Sequence, residues 1–106
     1  MDEILEKVKQ EVSRQFLLWN EQNHPDGTGK PGDSQRVSAF KVFMKSLASS
    51  GDLTWRDILY EEVLEVFDET EPKELRTELI QVAAVAVSWA EALDRRQKNG
   101  QDHQNS

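Results

Sequence analysis

The feature that most constrains this chain is the run Leu79–Ala90, which is apolar apart from Gln81 and Ser88. At about 100° per residue, its apolar side chains cover almost the whole circumference of a helix. Such a helix is expected to be buried on most sides, yet the run is too short to span a bilayer. It needs helical neighbours, and the rest of the chain supplies them. In Asp2–Trp19 the residues Ile4, Leu5, Val8, Val12, Phe16 and Trp19 recur at three- and four-residue spacing, forming one amphipathic stripe. A second helix is expected over Ser34–Ser49, with Val37, Phe40, Val42, Phe43, Met44 and Leu47 on its core side and Gly51 ending it. Thr54, with Asp57 three residues on, starts a third over Trp55–Glu69. Pro72, capped by Thr70 or Glu71, opens a fourth that runs to Lys98, where Arg95, Arg96 and Lys98 suit the negative helix end. No segment reads as a strand. The expectation is an all-α chain, a bundle of four helices forming one domain over residues 1–98, with Trp19, Trp55 and Trp89 in its core.

The segment Asn20–Asp33 (NEQNHPDGTGKPGD) carries two prolines and three glycines and is expected to be a loop, either a mobile connection or a functional one. Asn99–Ser106, which includes His103, has no apolar anchor and is expected to be disordered. The net charge of −7 disfavours binding to DNA or RNA polymers, whose phosphates an acidic surface repels. It leaves room for a nucleotide, because a divalent cation can bridge carboxylates and phosphates. The absence of cysteine, of a signal-type apolar segment and of a membrane-length run gives the expectation of a soluble, cytoplasmic protein.

Chemistry concentrates in the third and fourth helices. With Glu61 set at 0°, Glu65 falls at about 40° and Glu62 at about 100°, so the three carboxylates share one side. Asp68 and Glu69 continue that side. Trp55, Leu59, Val63, Val66 and Phe67 occupy the neighbouring arc, and Ile58 lies among the acids, so the acidic side borders the core. In the fourth helix Glu78 shares its face with Leu75, Val82, Val85 and Trp89 and so points the way the core points. A carboxylate in that position needs a cation, a hydrogen-bond network or a metal. The turn between the helices lies near Thr70, which puts Glu61 and Glu78 roughly 13 and 12 Å from it, at one level of an antiparallel pair. Clustered carboxylates suit hard, oxygen-seeking ions such as Mg²⁺. A second pair, Glu91 and Asp94, lies far along the fourth helix and is expected to face solvent.

The sequence EEVLE (Glu61–Glu65) followed by ELIQ (Glu78–Gln81), with twelve residues between Glu65 and Glu78, resembles the E-E-x-x-E…E-x-x-D signature of MazG-like all-α nucleoside triphosphate pyrophosphohydrolases. RQFLLWNEQNHPDGTG is similar to the amino-terminal region of small members of that family. LTWRDILYEEVLEVF and LRTELIQVAAVAVSWAEALDRR are similar to their later helices, so the resemblance covers most of residues 11–96. It implies a MazG-type helical fold completed by dimerisation or tetramerisation. It also implies Mg²⁺-dependent cleavage, with Mn²⁺ able to substitute, of a (deoxy)nucleoside triphosphate to the monophosphate and pyrophosphate. Carried over by position, Glu61, Glu62, Glu65 and Glu78 are the catalytic and metal-holding carboxylates.

One position departs from the pattern. Gln81 stands where the family has aspartate, which keeps an oxygen donor but removes a charge and weakens the hold on Mg²⁺. Arg14, His24, Asp26, Lys30 and Arg36 are candidate contacts to substrate phosphates or base, and each also fits an ordinary surface residue. Gln81 keeps a second reading open, a non-catalytic oligomerisation, interaction or nucleotide-sensing protein with a degenerate metal site.

Overall fold

The computed structural model describes residues 1–100. It is all-α, with no strand among the described residues: α1 Asp2–Trp19, α2 Asp33–Ser50, α3 Trp55–Asp68 and α4 Pro72–Lys98. Of the tail 99–106 expected to be disordered, Asn99 and Gly100 form a turn at the end of α4, their N–H groups donating to Arg95 O and Gln97 O, and the remainder, including His103, lies outside the described residues. No helix is long and apolar enough to cross a membrane among the described residues. The chain forms two compact units, one of Met1–Pro25 with the chain from Val87 onward, the other Asp26–Ala86.

The helix ends follow local chemistry. Thr54 and Asp57 make a reciprocal capping box: the Thr54 hydroxyl accepts from Asp57 N–H, and the Asp57 carboxylate accepts from Thr54 N–H at 3.1 Å. α4 is capped by Glu71, whose Oε1 accepts from Lys73 N–H at 2.8 Å and Glu74 N–H at 3.2 Å. Gly51 ends α2 with φ 80°, a left-handed conformation in which its N–H reaches back to Ala48 O. α2 begins one residue earlier than its sequence suggests, because the Asp33 carboxylate accepts from Lys30 N–H at 2.7 Å and closes the preceding turn.

In the Asp26–Ala86 unit, α2 packs antiparallel on α3. Ser34 at the start of α2 donates to Asp68 Oδ1 at the end of α3 (2.7 Å), and Phe40 meets Tyr60 edge-on with ring centroids 4.9 Å apart. Val37, Phe40, Met44 and Leu47 turn inward, whereas Val42 and Phe43, expected in the core, are exposed. On α3, Leu64 and Val66 are buried and Phe67 is 50% exposed, a correction to the expected apolar arc. α2 accounts for Leu64: through the Phe40–Tyr60 contact it lies against that side of α3.

The loop is docked at its middle. Gly29 donates its N–H to Phe67 O (2.7 Å) with φ 75°, and a Cβ there would overlap the Thr70 methyl. Gly29→Ala is therefore expected to destabilise the protein by about 1–3 kcal/mol, from backbone strain and the displaced threonine together. Thermal unfolding measures this, and an unchanged midpoint would contradict the docked loop.

Among the described residues only Leu64, Val66, Leu75 and Ala92 are buried apolar side chains. Trp19, expected in the core, is 57% exposed, and Trp55 and Trp89 are half-buried. The α1 stripe is uncovered: Leu5, Val8, Val12 and Phe16 are all exposed. α4 departs most from expectation. Leu79 and Ile80 are 51% and 53% exposed, and Ala83, Ala84 and Ala86 are exposed as well. The apolar circumference is real, but one copy of the chain covers only part of it.

Candidate metal centre

α3 turns Glu61, Glu62 and Glu65 to one side, and one carboxylate oxygen from each lies within 4.8 Å of the others. All three are half-buried, as is Ile58 among them. Glu78 on α4 stands outside that group of three, but its charge acts on Glu62, and Glu65 acts on it in turn. Desolvation first, and then the charges of Glu65, Glu78 and Glu61, raise the Glu62 carboxyl above its ordinary value. Glu78 is raised by the same causes: burial, then Glu65, Glu69 and Glu74. One oxygen on each, Glu62 Oε2 and Glu78 Oε2, is buried with no hydrogen-bond partner. Two orphaned carboxylate oxygens beside a tight group of like charges form a donor set that a hard divalent cation satisfies.

Two neighbours drop out of the acidic side. Asp68 is occupied by Ser34 Oγ, and Glu69 Oε2 accepts from Glu71 N–H at 3.1 Å in the α3–α4 turn. Gln81 is exposed on α4, one turn beyond Glu78. Glu91 differs from expectation: it is half-buried, and its Oε2 meets the Met1 ammonium at 2.6 Å.

The five substrate candidates separate clearly. Asp26, Lys30 and Arg36 belong to the unit that holds the acids. Arg36 pairs with Asp33 at 2.9 Å and lines a cleft of about 310 Å³ with Phe40, Phe43, Tyr60 and Leu64. Asp26 and Lys30 are exposed on the loop. Arg14 and His24 belong to the other unit. There Arg14 grips Glu11 through Nε (2.9 Å) and Nη2 (2.6 Å), holding the Glu11 carboxyl down to about 2. His24 Nε2 lies 3.1 Å from Gln22 Oε1. That unit also has a groove of about 910 Å³, lined by Ile4, Val8, Val12 and Ala90 together with charged residues such as Lys7 and Asp94; among the described residues its acids form no cluster like that on α3.

Sequence reasoning missed Lys41. Its Nζ lies 3.9 Å from Glu61 Oε2 and 3.8 Å from Glu65 Oε1. The signal was there to read: at about 100° per residue Lys41 shares an arc with Val37 and Met44, and a lysine on an inward stripe calls for an acidic partner.

The raised carboxyls carry a stability consequence. A glutamate whose folded value exceeds its ordinary 4.5 binds a proton more readily in the native state, so stability falls as pH rises from 4.5 through the raised value. In metal-free protein, Glu78→Gln removes one of the clashing charges and is expected to stabilise at neutral pH by on the order of 1 kcal/mol, or roughly 4–8 °C in Tm. The gap from wild type is expected to be wider at about pH 7 than at about pH 5. Melting curves at both values, with chelator present, check this; equal gaps would contradict the coupling.

Comparison with family models, with curated proteins and with solved structures gives no match. The fold and site together define an all-α protein with a cluster of half-buried carboxylates suited to a divalent cation.

Proposed function

We propose that this chain is a MazG-like nucleoside triphosphate pyrophosphohydrolase, cleaving a (deoxy)nucleoside triphosphate to the monophosphate and pyrophosphate with Mg²⁺. The observation that carries the reading is the meeting of Glu61, Glu62 and Glu65 within 4.8 Å, beside two carboxylate oxygens left buried and unpartnered on Glu62 and Glu78. Evolution tolerates such orphans where function uses them. The motif resemblance of Glu61–Glu65 and Glu78–Gln81 supplies the reaction class.

In this reading Glu61, Glu62, Glu65 and Glu78 hold the ion, and Gln81 adds a neutral oxygen at the rim. A bound Mg²⁺ supplies charge neutralisation on the triphosphate and activation of water. The carboxylates fix its position, and the raised proton affinity of Glu62 and Glu78 makes ion binding compete with protonation. Phe40, Phe43 and Tyr60 offer an aromatic cleft for a base, with Arg36 at its edge. Incubating the protein with Mg²⁺ and each (d)NTP and assaying pyrophosphate tests the reading; no release above a Glu65→Ala control would refute it.

The same reading includes a homodimer or homotetramer. What supports it is the apolar surface left open along α1 and on α4 at Leu79, Ile80, Ala83 and Ala86. An exposed apolar area of this kind on one chain marks a contact with another.

The competing reading, a nucleotide-sensing or interaction protein with a lapsed metal site, is favoured by Gln81. Calorimetry showing nucleotide binding without any cleavage would select it.

A further inference from the structure

Lys41 approaches the carboxylate cluster from α2, and its position is set by packing. The Phe40–Tyr60 edge contact and the inward-turned Val37 and Met44 fix α2 against α3, which delivers the next side chain, Lys41, over Glu61 and Glu65. The two Nζ–O distances, 3.9 and 3.8 Å, are those of an ion pair and too long for a hydrogen bond. The lysine is 51% exposed, while its acidic partners are 23% and 27% exposed. Its positive charge also acts on Glu62 and Glu78, so one ammonium serves all four carboxylates. This is a loosely held cation on a flexible stem at the mouth of a site with surplus negative charge.

We propose that Lys41 is a tethered counter-cation for the metal centre: it neutralises Glu61 and Glu65 while no ion is bound, gives way to a divalent cation, and then grips the polyphosphate that the cation brings. The inference rests on the metal-binding reading above and adds a residue and an order of events to it. The ammonium and the ion compete for the same oxygens, Glu61 Oε2 and Glu65 Oε1. The ion carries twice the charge and accepts lone pairs from several oxygens at once, so it displaces the lysine. Half-exposed and held without a hydrogen bond, Nζ can swing outward on its four-carbon stem. There it meets the excess negative charge of a triphosphate that the ion neutralises only in part.

The test uses the full chain, Mn²⁺ alone and inorganic tripolyphosphate as probes. Mn²⁺ affinity is read by electron paramagnetic resonance, and tripolyphosphate affinity for the Mn²⁺-loaded protein by calorimetry. Lys41→Met keeps the stem and removes the charge. It is expected to bind Mn²⁺ about three- to tenfold more tightly at low salt, with the difference shrinking as salt is raised. It is expected to bind tripolyphosphate about tenfold more weakly. Lys41→Arg keeps the charge and is expected to behave as wild type in both. Unchanged or weaker Mn²⁺ binding by Lys41→Met would overturn the counter-cation role, and unchanged tripolyphosphate binding would overturn the gripping role. Wild-type protein that bound no Mn²⁺ would overturn the metal reading itself, a different outcome from either.

Discussion

Replacing Glu65 by glutamine is expected to lower Mg²⁺-dependent pyrophosphate release by at least about 10²-fold, because the change removes a charged ligand while preserving shape. Glu65 is the acid on which the others converge. It contributes an oxygen to the group of three, pairs with Lys41, and is the leading charge acting on both Glu62 and Glu78. Glutamine retains one oxygen donor and fits the same half-buried volume, so the fold should persist and melting should change little or rise. Loss of turnover with an intact helical spectrum and an intact melting transition separates a chemical role from a structural one. Pyrophosphate assays across the (d)NTPs provide the reading, and wild-type rates in Glu65→Gln would contradict the assignment of this carboxylate to the ion.

The second large effect concerns assembly. Ala83→Arg is expected to convert the proposed oligomer to monomer, raising its dissociation constant by about 10²-fold or more. Leu79, Ala83 and Ala86 lie within about 60° of one another around α4 and form an exposed apolar stripe. A charged, bulky side chain at its centre is tolerated by a single chain, where Ala83 faces solvent, and arginine is a good helix former. In an interface it inserts an unpaired charge and prevents close approach. Light scattering at micromolar concentration checks both halves. Wild type is expected at twice the chain mass or more, and Ala83→Arg at the chain mass. A monomeric wild type would contradict the assembly, and an oligomeric Ala83→Arg would move the interface elsewhere.

The helices were legible from sequence because their signals are local. Apolar spacing, the Thr54–Asp57 box, Pro72 and Gly51 each act within a turn or two, and the observed boundaries differ by a single residue at both ends of α2 and at the end of α3. What faces what was less legible, since it depends on partners distant in the chain. Leu64 is buried because α2 lies against the Tyr60 side, a fact that no periodicity within α3 contains. The acid cluster stood out because helical spacing alone brings Glu61, Glu62 and Glu65 together; the contribution of Glu78 rested on a level count along two helices, and it sits near the three but outside their group. For Lys41 the spacing on α2 signals an inward lysine that needs an acidic partner, but which acids it meets, Glu61 and Glu65, is set by the α2–α3 register. Trp19 and Leu79 read as core because apolar residues announce burial, yet both stand exposed on this chain.

The most direct measurement is anomalous diffraction at the manganese edge from a crystal grown with Mn²⁺ and a non-hydrolysable nucleoside triphosphate analogue. A peak bounded by the carboxylates of Glu61, Glu62, Glu65 and Glu78, with the triphosphate reaching it, is the result this account predicts. The same crystal with nucleotide bound elsewhere, or with no manganese among those four side chains, would contradict it.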